Sequence, residues 1–307
     1  MKSKAAVILF CVFAVLIADN AVGGVWTELK WDEPLYSAGT FNPTAIYGDT
    51  IVGTYIPKDG HGSQGFVYDG NEFKKLSKPG AYSTKPYGVY DNLIVGAYND
   101  SGSSYNYQGF VYDGESFTTL NNPHTTTTLL KAIDGDRMLA SDTSTVTNDY
   151  MFDNFSWEEF EIDGAAPYTV KALDLDGDTI VGRYKDENGT NHYYVRTGDT
   201  LEILEKPGAS SIHGAAVDNG LIVGTFSDDS GSHGFIYDGT SWITVDKPGA
   251  YNTSFSAIHG DTIVGRYSEL NGYQYDQGVF IYTIPEPATL ALLTTGLLLM
   301  RRNRAIN

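Results

Sequence analysis

The side chains able to do chemistry are thinly spread along this sequence. Six histidines stand apart at positions 61, 124, 192, 213, 233 and 259, Cys11 is the sole cysteine, and no Gly-x-Ser-x-Gly elbow occurs, so an activated nucleophile has little to draw on. Asp174, Asp176 and Asp178 alternate like the opening of a calcium loop. Such a loop closes on a bidentate Glu at its twelfth position, but residue 185 is Lys; a plain turn is expected, with loosely held Ca²⁺ as the alternative. Arg183 and Arg266 follow Ile-Val-Gly where sister segments carry Thr, Ala or Ser. They could grip a ligand carboxylate, or pair with acids on an acidic surface. Gln64, Gln108, Asn148, His192, His233 and Gln277 fall at one repeated position. His192 and His233 could thereby face a ligand, although a side chain bonded to a neighbouring backbone explains the same regularity. Asp and Glu, 38 in all, would allow a glycosidase pair, but linear spacing cannot bring two carboxylates together.

The elements that must position these groups come from an internal repeat. An Ile-Val-Gly-like anchor begins at Ile51, Ile94, Met138, Ile180, Ile222 and Ile263, at steps of 43, 44, 42, 42 and 41 residues. This period suits a four-stranded propeller blade or a two-helix solenoid unit. Short runs of Val, Ile, Tyr, Phe, Trp and Thr between Gly, Asn and Asp, with no helical periodicity, select strands. Turns such as Gly48-Asp49 and Asp176-Gly177 join the first two strands, Asp229-Ser230-Gly231 marks a second hairpin, and Phe-Val-Tyr-Asp-Gly leads into a fourth strand.

That fourth strand is marked by an apolar pair three residues apart: Phe73/Leu76, Phe117/Leu120, Trp157/Phe160, Leu201/Leu204 and Trp242/Val245. The sixth unit stops after Tyr282, and the missing pair stands at the other end of the chain as Trp26 and Leu29. The expectation is an all-β, six-bladed propeller over residues 24–283, with the N-terminal strand closing the last blade. Apolar helices are expected at both termini.

Lys2, Lys4 and an apolar run to Ala18 read as a signal peptide over residues 1–23, whose removal leaves no cysteine for disulfides. Residues 284–307 carry Pro285-Glu286-Pro287, an apolar stretch from Ala288 to Met300, and Arg301-Arg302-Asn303-Arg304. This ordered triplet resembles the PEP-CTERM sorting tail of Gram-negative bacteria. The resemblance implies processing by an exosortase, a short transmembrane helix that holds the protein in the membrane only before processing, and a final place at the cell surface or outside the cell. His233-Gly234-Phe235-Ile236-Tyr237-Asp238-Gly239, with Lys247-Pro248-Gly249-Ala250 and Ile263-Val264-Gly265, resembles the HAF-type extracellular repeats that accompany such tails. Units three and four depart: Met138-Leu139-Ala140 replaces the anchor, Asp163-Gly164-Ala165 replaces Pro-Gly-Ala, and Arg196-Thr197 replaces Tyr-Asp.

The net charge is −18; loss of Lys2, Lys4, Arg301, Arg302 and Arg304 with Asp19 and Glu286 would bring it to −21. Such a surface repels nucleic acid and acidic polysaccharide unless cations bridge them. The expected role is a non-catalytic matrix or envelope component, without a cofactor, that engages polysaccharide or an envelope protein; a propeller enzyme acting on glycans is the alternative. An enzyme should gather acids, His and Arg from non-equivalent repeats at one channel mouth, whereas a matrix component should show a near-regular mouth.

Overall fold

In the computed structural model, residues 24–35, 40–60, 62–102, 106–143, 148–272 and 274–285 are described. The chain divides into a unit spanning Trp26–Tyr282 and a second made of Met1–Val25 and Thr283–Asn307. The expected terminal helices lie outside the described residues, as do Glu286, Pro287, Arg301 and Arg302 of the sorting motif. Among the described residues no helix is long and apolar enough to cross a membrane.

Alternating buried and half-buried positions make short strands, and the large unit is a six-bladed β-propeller of four-stranded sheets. The innermost strands are Asn42–Tyr47, Ser83–Tyr90, Leu129–Asp134, Lys171–Asp176, Ser211–Asp218 and Asn252–His259. In the first five blades the strands follow sequence order outward. The sixth sheet runs Val25–Leu29, Gln274–Thr283, Thr262–Asn271, Asn252–His259.

The anchor glycine has a steric reason. A Cβ on Gly53, Gly96, Gly182, Gly224 or Gly265 would meet a carbonyl oxygen of the innermost strand on one side and the ring of Phe66, Phe110, Tyr194, Phe235 or Phe280 on the other. Each innermost strand carries an irregularity in its pairing near this point, which turns its following residues toward the channel. In blade three Ala140 stands in the glycine position opposite Tyr150.

The other motif residues form turns. Asp69, Asp113 and Asp238 each accept two backbone N–H groups of the following hairpin, at 2.7–3.1 Å. The hydroxyls of Tyr68, Tyr112 and Tyr237 donate to the carbonyls of Gly70, Gly114 and Gly239 at 2.7–2.8 Å. In blade four, where Tyr-Asp is lost, Arg196 Nε donates to the Gly198 carbonyl instead, at 3.0 Å. Pro-Gly-Ala is a type II turn: Ala81 N bonds Lys78 O at 3.1 Å with Gly80 at φ +83°, and Asp163-Gly164-Ala165 keeps the same bond from Ala165 N to Ile162 O.

On the outer strands, the first member of the apolar pair packs on the aromatic of the third strand in five blades; in blade four Leu201 is exposed opposite Arg196. Phe73 lies 4.7 Å from Tyr68, Phe117 4.6 Å from Tyr112, Trp157 4.9 Å from Phe152 and Trp242 4.4 Å from Tyr237. Trp26 lies 4.5 Å from Tyr282 in the same manner. The second member is buried at Leu76, Phe160, Leu204, Val245 and Leu29.

Gly224 is the sharpest test of this packing, because Phe235 Cε1 lies 2.8 Å from where its Cβ would fall. Gly224→Val should cost about 3 kcal/mol in chemical denaturation. An unchanged unfolding midpoint would remove the steric account of the anchor.

Candidate functional site

Because all six innermost strands run the same way, the channel has two unlike ends. At the end where the strands finish, the equivalent residues are Tyr47, Tyr90, Asp134, Asp176, Asp218 and His259. One step inside lies a ring of Ala45, Gly88, Ala132, Asp174, Ala216 and Ala257. These rings line a cavity of about 270 Å³.

The mouth therefore gathers acids from blades three to five and a histidine from blade six, which is not the near-regular mouth expected of a matrix component. Its carboxylates, however, are engaged between blades. Asp134 Oδ2 accepts Gly177 N at 2.7 Å, Asp176 Oδ2 accepts Asn219 N at 2.6 Å, and Asp218 Oδ2 accepts Gly260 N at 2.9 Å. Asp218 Oδ1 also meets His259 Nδ1 at 3.3 Å. On the remaining arc Tyr47 packs against His259 at 4.4 Å and Tyr90 at 4.8 Å. Each acid thus ties its blade to the turn of the next, as a repeated structural clasp would.

Asp174 is the one charged member of the inner ring. Burial raises its pKa to about 7, against the lowering effect of the bond it accepts from Val217 N at 3.0 Å. Asp176 is raised in the same direction, mainly by burial. Asp178 sits in the exposed turn, 3.4 Å from Arg137 Nη1. The three aspartates thus serve three different partners, and among the described residues no three His, Cys, Asp or Glu side chains converge as metal ligands.

The opposite end, where the innermost strands begin, carries the cations. Arg183 is exposed in a cleft of about 480 Å³ that also takes in Lys131, Lys171, Lys185, Tyr168 and Tyr184. Beneath it the fully buried Asp149 receives Lys131 Nζ at 2.9 Å, Lys171 Nζ at 3.3 Å and Ala172 N at 3.1 Å, joining blades three and four. Arg266 is half-buried and donates to Asn42 Oδ1 across the seam between blades six and one.

His192 and His233 do not join Arg183 and Arg266 in one site. His192 Nε2 lies 3.3 Å from Asp186 and its ring stacks on Tyr184 at 5.1 Å. His233 is held by Asp246 at 2.8 Å and Ser230 at 2.9 Å. Both bond within their own blades. Gln64 Nε2 instead donates to Tyr82 O at 3.0 Å, and Asn148 Oδ1 accepts Val170 N at 3.2 Å.

Three features follow no known motif yet leave a signal. The mouth residues lie four positions before each anchor, an offset readable once the anchors are aligned. Asp149 occupies the place taken by Gly65, Gly109, Gly234 and Gly278 in sister blades. Three exposed tyrosines, Tyr82, Tyr168 and Tyr251, stand six residues before the inner-ring position of blades two, four and six.

No sequence family matches the chain, and no curated protein does. Among solved structures it is similar to the Pyrococcus horikoshii acylaminoacyl peptidase, with a TM-score of 0.50 and 14% identity, over 80% of this chain and 44% of that one. The β-propeller domain of the Trilobed protease from Pyrococcus furiosus matches with a TM-score of 0.49 and 11% identity, over 80% and 97% of the two chains. The SapL1 lectin in complex with alpha methyl fucoside matches with a TM-score of 0.48 and 14% identity, over 80% and 96%. At these identities the likeness concerns the propeller fold.

Asp174 generates a pH prediction. An unfolded Asp carboxyl titrates near pH ~4, so between there and about pH 7 the folded chain holds a proton that the unfolded chain has lost. This group's effect on stability therefore turns unfavourable as pH rises through that window, and is complete above it. Asp174→Asn should leave the urea midpoint unchanged below about pH 4 and raise it above about pH 7. Equal midpoints at pH 8 would contradict burial as the dominant influence.

Proposed function

We propose that this chain is a secreted, surface-sorted, non-catalytic propeller that binds polysaccharide through the face where its innermost strands begin. The observation that carries this reading is the set Tyr82, Tyr168 and Tyr251, exposed by 41%, 51% and 47% on the connections entering alternate blades. A tyrosine ring offers a flat apolar surface to the C–H face of a pyranose and a hydroxyl to its edge. Three such rings on one face suit a repeating polymer, because each further contact forms at high effective concentration. The clasps made by Asp134, Asp176 and Asp218 favour binding over catalysis, since carboxylates spent on neighbouring blades are poorly placed to shuttle protons.

A second reading is a propeller enzyme acting on glycans, favoured by the gathering of three acids and His259 at the other mouth. A glycan array combined with a hydrolysis assay separates the two. Tyr82→Ala, Tyr168→Ala and Tyr251→Ala together should weaken polysaccharide binding by about tenfold or more, with no turnover by the parent protein. Turnover lost on replacing Asp134, Asp176 or Asp218 would support the enzyme reading.

We also infer that the strand Val25–Leu29 latches the ring, a reading supported by the sheet order and by Trp26 against Phe280 at 4.8 Å and Tyr282 at 4.5 Å. Trp26→Ala should then lower the melting temperature by several degrees, about what 1–2 kcal/mol does in a domain of this size; an unchanged melting temperature counts against the latch.

Sorting by an exosortase in a Gram-negative envelope rests on Pro285-Glu286-Pro287 with its apolar and arginine-rich sequel. Replacing all three residues by Ala should leave the uncut chain in the membrane fraction. Normal release to the surface or medium would overturn the assignment.

A further inference from the structure

Within a chain of net charge −18, the cleft between blades three and four gathers Lys131, Lys171, Arg183 and Lys185. Two acids stand among them, and both have work elsewhere. Asp149 lies below the floor, bonded to both floor lysines, and the Asp142 carboxylate accepts the Thr127 hydroxyl. Among the described residues neither Arg183 nor Lys185 forms an ion pair, and both side chains are exposed. The cleft is thus locally cationic on a molecule whose overall field repels anions.

The aromatic walls narrow the choice of anion. Tyr168, held at φ +63°, presents its ring at the cleft, and Tyr184 is backed by the His192 ring at 5.1 Å. Asn191 and the buried Ser141 line the cleft and add uncharged hydrogen-bonding groups. Planar rings, neutral polar groups and a guanidinium fork together suit a pyranose bearing a carboxylate. The cleft volume of about 480 Å³ suits one or two sugar units.

We propose that this cleft is a subsite for a hexuronate residue, with Arg183 and Lys185 taking the carboxylate, Tyr168 stacking on the ring, and the Asp149-tethered lysines forming a fixed positive floor. The assignment rests on the polysaccharide-binding reading above and names the sugar class that one of its three tyrosines would meet. The other two stand in different surroundings: Tyr82 packs beside Gly62 and Gly102, and Tyr251 lies 5.5 Å from Tyr275.

The test is calorimetric titration of the full secreted chain with oligogalacturonate, with a neutral oligosaccharide of the same linkage and length, and with an oligoglutamate peptide. Oligogalacturonate should bind at least about tenfold tighter than the neutral sugar, a charge-assisted pair being worth about that factor. Arg183→Gln should abolish this preference and Lys185→Gln should reduce it, while Lys74→Gln on the rim of blade one should leave it intact. Both target side chains are exposed, so loss of the fold does not confound the result; thermal melts of each variant confirm this. Equal affinity for charged and neutral sugars, or a preference that survives Arg183→Gln, overturns the subsite while leaving the tyrosine face standing. Tight binding of the peptide with no binding of the sugar also overturns it, and no binding to any glycan defeats both readings.

Discussion

The close approach of three strands at the anchor glycine governs the rest of the structure. In five of the six blades the second strand lets the innermost carbonyl and the third-strand ring come within what would be the radius of a methyl group; blade three, with Ala140 opposite Tyr150, is the exception. With the ring seated there, the aromatic of the fourth strand has a fixed ring to pack on, as Phe117 does on Phe110 and Trp242 on Phe235, and the irregular pairing of the innermost strand has a fixed place. In those five blades the outer-strand packing and the angle of each hairpin follow from one missing side chain. The interior density of the ring then comes from Phe66, Phe110, Tyr194, Phe235 and Phe280, among its most deeply buried groups.

Most of this architecture can be read from the residues because its determinants are local. The glycine and the ring it faces are some thirteen positions apart, and the turn aspartates bond two or three residues away. The contacts that make the channel mouth connect residues about one full repeat apart, such as Asp134 with Gly177 and Asp176 with Asn219. No spacing rule inside one unit reports them. Asp174, Asp176 and Asp178 show the difficulty: their alternation suggests a shared ligand, yet each faces a different neighbour. His192 and His233 share a repeat position, and a shared position in a ring means separation in space.

The informative residues are those that break the repeat. Asp149 replaces a glycine, and its charge is met by lysines from two blades. Buried without them it would be strongly unfavourable, so Lys131 and Lys171 are bound to it as a group. Arg196 shows the opposite case, a departure that preserves the local bond with new chemistry. Arg183 belongs to neither class: it is exposed and beside an exposed tyrosine, and among the described residues it forms no ion pair. Units three and four, the ones that depart most from the common pattern, are also those that share the cleft.

The tether under that cleft has a mechanical consequence. Lys131 and Lys171 come from the innermost strands of adjacent sheets, and one carboxylate grips both. A polymer held at this floor would transmit tension into two hydrogen-bonded sheets at once and across the seam between them, with no flexible loop in series. At the cell-surface location proposed above, an attachment of that kind would resist shear until strands themselves part, so its lifetime under force would follow the unfolding rate of the ring rather than the stability of any one contact.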